Sequence, residues 1–310
     1  MSFQKLSLSL FIFLFVSTAC VQLSTRRDEM AQQTRDEVVK QLVPDKRDAI
    51  FEPELLFTGS DQLILSGAVE YKAFADTLKE ALGQLGFQVI DSLSYLPLPQ
   101  YEDEKALVRL SVANVKAQPS HSSELVTQFL MGHPVHILED KGGWYRVRGL
   151  DNYPGWIEKA AVKIMAPDEV QIWNAADKGM VLNESLVKGS NGEVISDLTL
   201  GDVVMLGIRK GGQQEVILPD FRRGFVAVGS VQSLQGWQKS DIQQLASSEV
   251  VSDAQQLLGR PYVWGGTSMR GLDCSGFTKT VFLQNGWLLA RDASQQIRGG
   301  ITVTENIEDI

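Results

Sequence analysis

Residues 258–300 read LGRPYVWGGTSMRGLDCSGFTKTVFLQNGWLLARDASQQIRGG. The Gly265–Gly266 pair predicts a loop whose backbone can approach another group closely. An apolar stripe at helical spacing follows Cys274 and ends at Asn285 and Gly286, a pair typical of a helix C-terminus. The pattern therefore places Cys274 in the first turn of a helix. There, amide groups without intrahelical partners and the helix dipole favour a thiolate near neutral pH.

Asp273, directly before the cysteine, can cap this helix or hold the amino group of a substrate. A single cysteine without such a context is more often a small buried hydrophobic residue. Here the context is a motif of three parts: Tyr262, Trp264, Gly265 and Gly266, then Asp273, Cys274, Ser275 and Gly276, then Arg291, Asp292, Ser294, Gln295 and Gln296. This order resembles the amino-terminal half of the NlpC-type cysteine peptidase domain, which has a papain-like fold. The resemblance favours a nucleophilic Cys274.

Residues 107–235 contain an internal repeat. A shift of 69 residues without gaps aligns Lys141-Gly142-Gly143 with Lys210-Gly211-Gly212, and Trp156-Ile157 with Phe225-Val226. Each copy has alternating short strands and a Gly-Gly hairpin signal, which together predict a small β-barrel. The two copies, residues 107–165 and 166–235, resemble bacterial SH3-like barrels. The sequence leaves open whether the second barrel binds a ligand or only covers surface.

Residues 1–19 predict a lipoprotein-type signal peptide, in which Lys5 and a short apolar run precede small residues and Cys20. Because Ser17 stands where a leucine-like residue is usual, ordinary signal cleavage is the alternative to lipidation of Cys20. We expect an exported envelope protein, anchored to the membrane and facing the periplasm if Cys20 is lipidated. Residues 20–46 predict a polar tether that could become helical near Arg35 to Leu42. Residues 47–106 predict a small α/β segment with a helix over residues 73–85.

The composition excludes some classes of protein. The chain of 310 residues has a formal net charge of −9, which argues against nucleic-acid binding because that function needs basic patches. Its two cysteines have neither metal-site nor redox spacing and predict no disulfide framework. We therefore expect no metal and no cofactor, and the sequence sets no oligomeric state. The predicted fold class is α+β multidomain, with residues 236–310 forming the amino-terminal half of the papain-like domain.

A signal-led chain with two SH3-like barrels before this domain resembles the γ-D-glutamyl-L-diamino-acid endopeptidases, also called dipeptidyl-peptidase VI. The resemblance implies hydrolysis of the γ-D-glutamyl–diamino acid amide in peptidoglycan stem peptides or muropeptides, through an acyl-enzyme on Cys274. It implies a place near the oxyanion for Tyr262, and contact with substrate for Asp273, Ser275, Arg291 and Asp292. In these enzymes a carboxylate and a phenol of the first barrel bind the free amino group of L-alanine. By their order in the chain, Glu124 and Tyr153 fit these roles best, although an exposed strand charge and a turn aromatic would explain them as well.

The 36 residues after Cys274 contain no histidine, although the family supplies its general base from strands that follow the cysteine helix. His121, His133 and His136 all fall in the first barrel, and we do not expect them to act as the base. We expect the natural protein to continue past Ile310, and this chain, lacking the base, to be inactive. Apolar residues of the helix such as Val281 and Phe282 would then need the missing sheet to cover them. The alternatives are a non-catalytic peptidoglycan-binding lipoprotein, or an acyltransferase or amidase that uses the same cysteine.

Overall fold

The computed structural model describes residues 26–235, 237 and 247–300. It contains two compact units, which meet in sequence between Pro99 and Gln100. The fold class is the predicted one, a mixed α+β multidomain chain. The predicted signal peptide and Cys20 lie outside the described residues.

The first unit is a three-stranded sheet with helices. Its elements are α1 (residues 26–42), β1 (Phe51–Phe57), β2 (Gln62–Val69), α2 (Lys72–Gln84) and β3 (Gln88–Tyr95). β1 pairs with β2 antiparallel, and β2 pairs with β3 parallel because α2 forms the crossover between them. The segment predicted as a polar tether is instead part of the folded first unit, which corrects that prediction. Ala31 of α1 is fully buried and packs with Leu63, Leu78 and Leu82, so this segment belongs to the core of the unit.

The first repeat of the second unit forms a seven-stranded antiparallel sheet in the order β10-β4-β7-β8-β9-β5-β6. Its strands are β4 (Ala106–Val108), β5 (Val112–Lys116), β6 (Leu125–Leu130), β7 (Pro134–Lys141), β8 (Trp144–Arg148), β9 (Pro154–Glu158) and β10 (Val162–Ile164). A 3-10 turn, Lys159–Ala161, separates the last two strands. Buried Val108, Val115 and Ile157 contribute to its core.

The second repeat has the same sheet order, β17-β11-β14-β15-β16-β12-β13, after a short helix α3 (Pro167–Ala175) that the sequence analysis did not predict. Its strands are β11 (Lys178–Val181), β12 (Ser185–Lys188), β13 (Val194–Leu198), β14 (Val203–Lys210), β15 (Gln213–Ile217), β16 (Arg223–Ala227) and β17 (Val231–Ser233). The last four strands lie 69 residues after β7 to β10, residue for residue. The structure thus contains the duplication that the sequence predicted.

The remaining elements carry the motif. They are α4 (Ser247–Gln256), the two-stranded ladder β18 (Thr267–Ser268) and β19 (Gly271–Leu272), α5 (Cys274–Gln284), α6 (Ala293–Gln296) and a 3-10 turn, Ile297–Gly299. Asn285 caps α5 at its C-terminus, and Gly286 follows with φ of 84°, as the sequence predicted. No helix among the described residues is both long enough and apolar enough to span a bilayer.

The two barrels and the α5 region are joined by equivalent turns of the repeat. Met131, at the end of β6, is fully buried in the core of the second barrel with Val187 and Val204. Its repeat partner Leu200 is buried in the cluster beneath α5, where it packs with Val281. Val281 is therefore covered within the described residues, which corrects the expectation that it needs a further sheet.

Candidate active site

Cys274 is the first residue of α5 and is exposed. Asp273 is the N-cap, and its Oδ1 accepts a hydrogen bond of 2.7 Å from the amide of Gly276. The thiol therefore lies where the amide dipoles of the helix favour negative charge and where solvent can reach it. The sequence prediction for the start of this helix is confirmed by its geometry.

Asp273 is a buried structural carboxylate in this arrangement. Its Oδ2 accepts from the Gly265 amide at 3.0 Å, and both oxygens accept from the guanidinium of Arg291, at 3.2 and 2.5 Å. Burial raises the pKa of Asp273. The hydrogen bonds from Arg291 and from the Gly276 and Gly265 amides, together with the charge of Arg291, lower the pKa by more than burial raises it, so it lies below its ordinary value. Of the two roles that the sequence left open, the structure shows the cap.

Ser275 and Arg291 are also buried, although the sequence analysis expected both to contact substrate. Arg291 is 1% exposed, and its Nη1 donates to Ser275 Oγ at 2.9 Å. Ser275 is 6% exposed, and its backbone carbonyl accepts from Gln296 Nε2 at 3.0 Å. In this structure both side chains support the loop and the helix start; neither offers a surface to a ligand.

The glycines of the motif are required by close backbone approach. Gly265 has φ of 80°, and a Cβ there would lie 2.2 Å from the carbonyl oxygen of Leu125 in β6. A Cβ on Gly276 would lie 2.0 Å from the carbonyl oxygen of Gly266. Both distances are far below van der Waals contact, so the loop packs on the first barrel and on the start of α5 only because no side chain intervenes.

The loop before Cys274 is bonded to the first barrel along β6. Trp264 Nε1 donates to Glu124 Oε1 at 2.8 Å, and both side chains are exposed. Gln128 and Thr267 make three further bonds: Thr267 Oγ1 to Gln128 O at 2.8 Å, Thr267 N to Gln128 Oε1 at 3.1 Å, and Gln128 N to Thr267 Oγ1 at 3.2 Å. Glu124 thus lies at the edge of the cysteine-bearing loop. The sequence analysis predicted Glu124 but missed Gln128, because nothing in its neighbourhood distinguishes it from an ordinary strand glutamine.

A second line of contacts joins the β8–β9 turn to the segment after α5. The hydroxyl of Tyr153 donates to Asp292 Oδ2 at 3.0 Å, and the Tyr153 side chain is largely buried. Nearby, Lys279 Nζ of α5 forms an ion pair of 2.8 Å with Asp151, with side chains only 12% and 4% exposed. The structure therefore brings the predicted Tyr153 and Asp292 together, and Asp292 follows directly on the Arg291 that holds Asp273.

The other predicted residues occupy separate places. Tyr262 is 64% exposed, and its backbone forms a parallel bridge with Leu272. His133 Nε2 donates to the carbonyl oxygen of Gly201 at 2.9 Å, since a carbonyl can only accept, and His121 packs edge-on to Trp144. His136 is an exposed residue of β7. Within residues 26–235, 237 and 247–300, no group of three or more His, Cys, Asp and Glu side chains is arranged to hold a metal ion.

Two family models match the chain. Residues 116–162 match the bacterial dipeptidyl-peptidase SH3 domain, and residues 259–309, which include Cys274, match the NlpC/P60 family. The cysteine-bearing segment is therefore similar to the NlpC/P60 family, and the first barrel before it is similar to the bacterial SH3 domain. The resemblance of the cysteine motif to the NlpC-type domain and that of the first barrel to a bacterial SH3 domain are thereby confirmed.

The chain is also similar to whole proteins of this kind. It is 25% identical over 207 residues to the γ-D-glutamyl-L-lysine dipeptidyl-peptidase of Bacillus cereus, which covers 59% of this chain and 57% of that protein. The protein of the same name from Bacillus subtilis is 28% identical over 182 residues, covering 56% of this chain and 58% of the relative. The chain thus spans somewhat more than half the length of these relatives. A crystal structure of an NlpC/P60 family protein from Bacillus cereus matches with a TM-score of 0.58 at 21% identity, over 66% of this chain and 80% of that one, and shows the fold.

Proposed function

We propose that this protein is a cell-envelope cysteine peptidase that cleaves peptidoglycan stem peptides on the carboxyl side of γ-D-glutamate, with Cys274 as nucleophile. The observation that supports it is the exposed Cys274 at the start of a capped helix, inside an NlpC/P60 segment. The names of the relatives, γ-D-glutamyl-L-lysine dipeptidyl-peptidases, support the choice of bond.

The proposed reaction is acyl transfer in two steps. The Cys274 thiolate attacks the carbonyl carbon of the γ-amide, and the amine of the diamino acid leaves with a proton. Water then attacks the thioester, releases the dipeptide acid and returns the thiol. A proton acceptor must serve both steps, and none of the hydrogen bonds among the described residues joins Cys274 Sγ to a histidine. We assign no described residue to that role.

Selection of a free amino terminus is the finer part of the proposal. Glu124 is exposed beside the cysteine-bearing loop, and Trp264 bonds only one of its carboxylate oxygens. The Tyr153–Asp292 pair provides a second carboxylate on the segment after α5. Two carboxylates favour an ammonium group over a neutral amide, because the charged donor gains charge-assisted hydrogen bonds that the amide cannot make. We propose that these groups bind the amino terminus of L-alanine.

The predicted localisation and partners belong to the same proposal. Intact peptidoglycan lies outside the cytoplasmic membrane, which is consistent with the predicted signal sequence. Lipidation at Cys20 and attachment to the membrane remain predictions.

The test uses protein expressed from its complete gene, with L-Ala-γ-D-Glu-L-Lys, its meso-diaminopimelate counterpart and N-acetylated versions of both as substrates. Mass spectrometry should show release of L-Ala-D-Glu from the free tripeptides, and Cys274→Ala should abolish it. Glu124→Gln should reduce the preference for free over acetylated substrate by about tenfold or more, since a charged hydrogen bond is worth about 1.5–3 kcal/mol. A folded protein that binds the peptides but releases no dipeptide would instead support a binding lipoprotein. Release of dipeptide that survives Cys274→Ala would exclude Cys274 as nucleophile.

A further inference from the structure

Arg291 is the largest side chain among those that are almost fully buried in the described part of the chain. Its two terminal nitrogens bond both oxygens of Asp273, and Nη1 also bonds Ser275 Oγ. Asp292 lies beside it, with Oδ1 3.8 Å from Nη1. A guanidinium held in this way cannot reach a bound peptide, so any effect of Arg291 on the reaction passes through the residues on either side of Cys274.

The charges around the helix start explain why such an arginine is needed. Asp273 caps α5 one residue before Cys274, so its carboxylate and the thiolate compete for the same positive end of the helix. Two negative charges this close disfavour each other, and burial reduces the screening by solvent. Arg291 supplies the opposite charge to Asp273 in bidentate geometry, which offsets the repulsion between the Asp273 carboxylate and the Cys274 thiolate.

The same contacts fix the position of the loop. Asp273 joins the Gly265 amide, the Gly276 amide and Arg291, so three separate pieces of chain converge on one carboxylate. Gln296 adds to this arrangement by donating to the carbonyls of Ser275 and Ala290. If Arg291 were lost, Asp273 would keep its two amide donors but would remain a buried charge without a counterion.

We propose that Arg291 is a positioning residue that orients Asp273 and compensates its charge, so that Cys274 is held at the helix start in a field that stabilises its thiolate. This inference rests on the proposed function only in treating Cys274 as the nucleophile. Other charged groups near this part of α5 are already engaged. Lys279 pairs with Asp151 and donates to Leu289 O, and Asp292 accepts from Tyr153.

The experiment measures the rate of Cys274 alkylation by iodoacetamide between pH 5 and 10. It is done on a Cys20→Ala background, which leaves Cys274 as the single thiol within residues 1–310. Arg291→Met removes the positive charge, and Asp273→Asn removes the negative charge. The double variant removes both. Arg223→Met, which removes an exposed arginine of the second barrel, is the matched control.

We expect Arg291→Met to move the alkylation midpoint up by about 1–2 pH units and Asp273→Asn to move it down, because one nearby charge changes an ionisation by roughly that much. The double variant should return to within about half a unit of the parent, and Arg223→Met should not move it. A merely structural role would shift both single variants in the same direction. Midpoints that are unchanged, or shifts of equal sign, would overturn the proposal. If Arg291→Met does not fold, the direction of the Asp273→Asn shift decides alone.

Alkylation needs neither substrate nor general base, so it separates this inference from the peptidase proposal. Opposite shifts in a protein that releases no dipeptide would count against the peptidase and leave the role of Arg291 standing. Normal turnover with unchanged alkylation midpoints in both single variants would support the peptidase and overturn the role proposed for Arg291.

Discussion

Replacement of Gly265 by alanine tests whether the cysteine-bearing loop depends on close contact with the first barrel. At φ of 80° any L side chain costs about 1–2 kcal/mol. In addition, the new Cβ would lie 2.2 Å from Leu125 O and 2.7 Å from Leu125 C, so the loop or β6 must move by about an ångström to reach normal contact. That movement breaks or stretches the bond from the Gly265 amide to Asp273, and a hydrogen bond to a charged group contributes about 1.5–3 kcal/mol. The expected loss of unfolding free energy is therefore about 2.5–5 kcal/mol.

Gly142→Ala is the matched control for Gly265→Ala. Gly142 also has positive φ, 58°, but a Cβ there would meet nothing within 4 Å, so only the backbone strain of about 1–2 kcal/mol remains. Urea unfolding followed by tryptophan fluorescence is a suitable assay, because all six tryptophans lie after residue 99 and report on the second unit. Equal losses in the two variants would refute the argument from close contact.

Two further predictions concern the joints between the barrels and α5. Leu200→Ala should reduce the free energy of unfolding by about 2–5 kcal/mol, since it opens a cavity beneath Val281. Leu186→Ala, which truncates a half-exposed side chain of β12, should reduce it much less. The two losses are compared by urea unfolding, and equal losses would contradict the packing of Leu200 against Val281. Burial lowers the pKa of His133 below 6.5, with the Gly201 carbonyl opposing the shift and the nearby charges of Lys279 and Asp151 acting in opposite directions. Its contribution to stability is then present above pH 6.5 and is lost as pH falls through the lower folded pKa, because the unfolded state binds the proton first. His133→Gln should make the urea midpoint less dependent on pH between pH 4 and 7. An unchanged pH dependence would exclude His133 as its source.

The sequence predicted those features that are set locally. The Gly-Gly turns at 142 and 211 and the alternating strands around them reappear at the same offset, because hairpin geometry depends on a few adjacent residues. The start of α5 is likewise local, since a cap and its amide donor lie three residues apart. Such signals need no knowledge of the rest of the chain.

The sequence could not predict the contacts between elements that are distant along the chain. Periodicity shows that Leu200 is apolar but not that it faces Val281 instead of its own barrel. Arg291 was placed among substrate contacts because it stands in the motif, but a charge next to a catalytic segment is equally suited to supporting it from behind. α1 was predicted as a tether because its composition is polar, yet one buried face, with Ala31 at its centre, is enough to join a core.

The turn between β6 and β7 recurs in the second copy between β13 and β14. This repeated turn explains how duplication could serve the candidate active site. In each copy the residue before the turn glycine packs into the part of the fold that follows. Met131 packs into the second barrel, and Leu200 packs beneath α5. The neighbouring Asp197 bonds Ser111 of the first barrel and Arg270 of the loop before Cys274, so the second barrel contacts both partners of the site at one point. In the proposed function the Glu124 edge and the cysteine loop act on one peptide, and a third body bonded to both would restrict their relative movement. This role requires no ligand site on the second barrel itself.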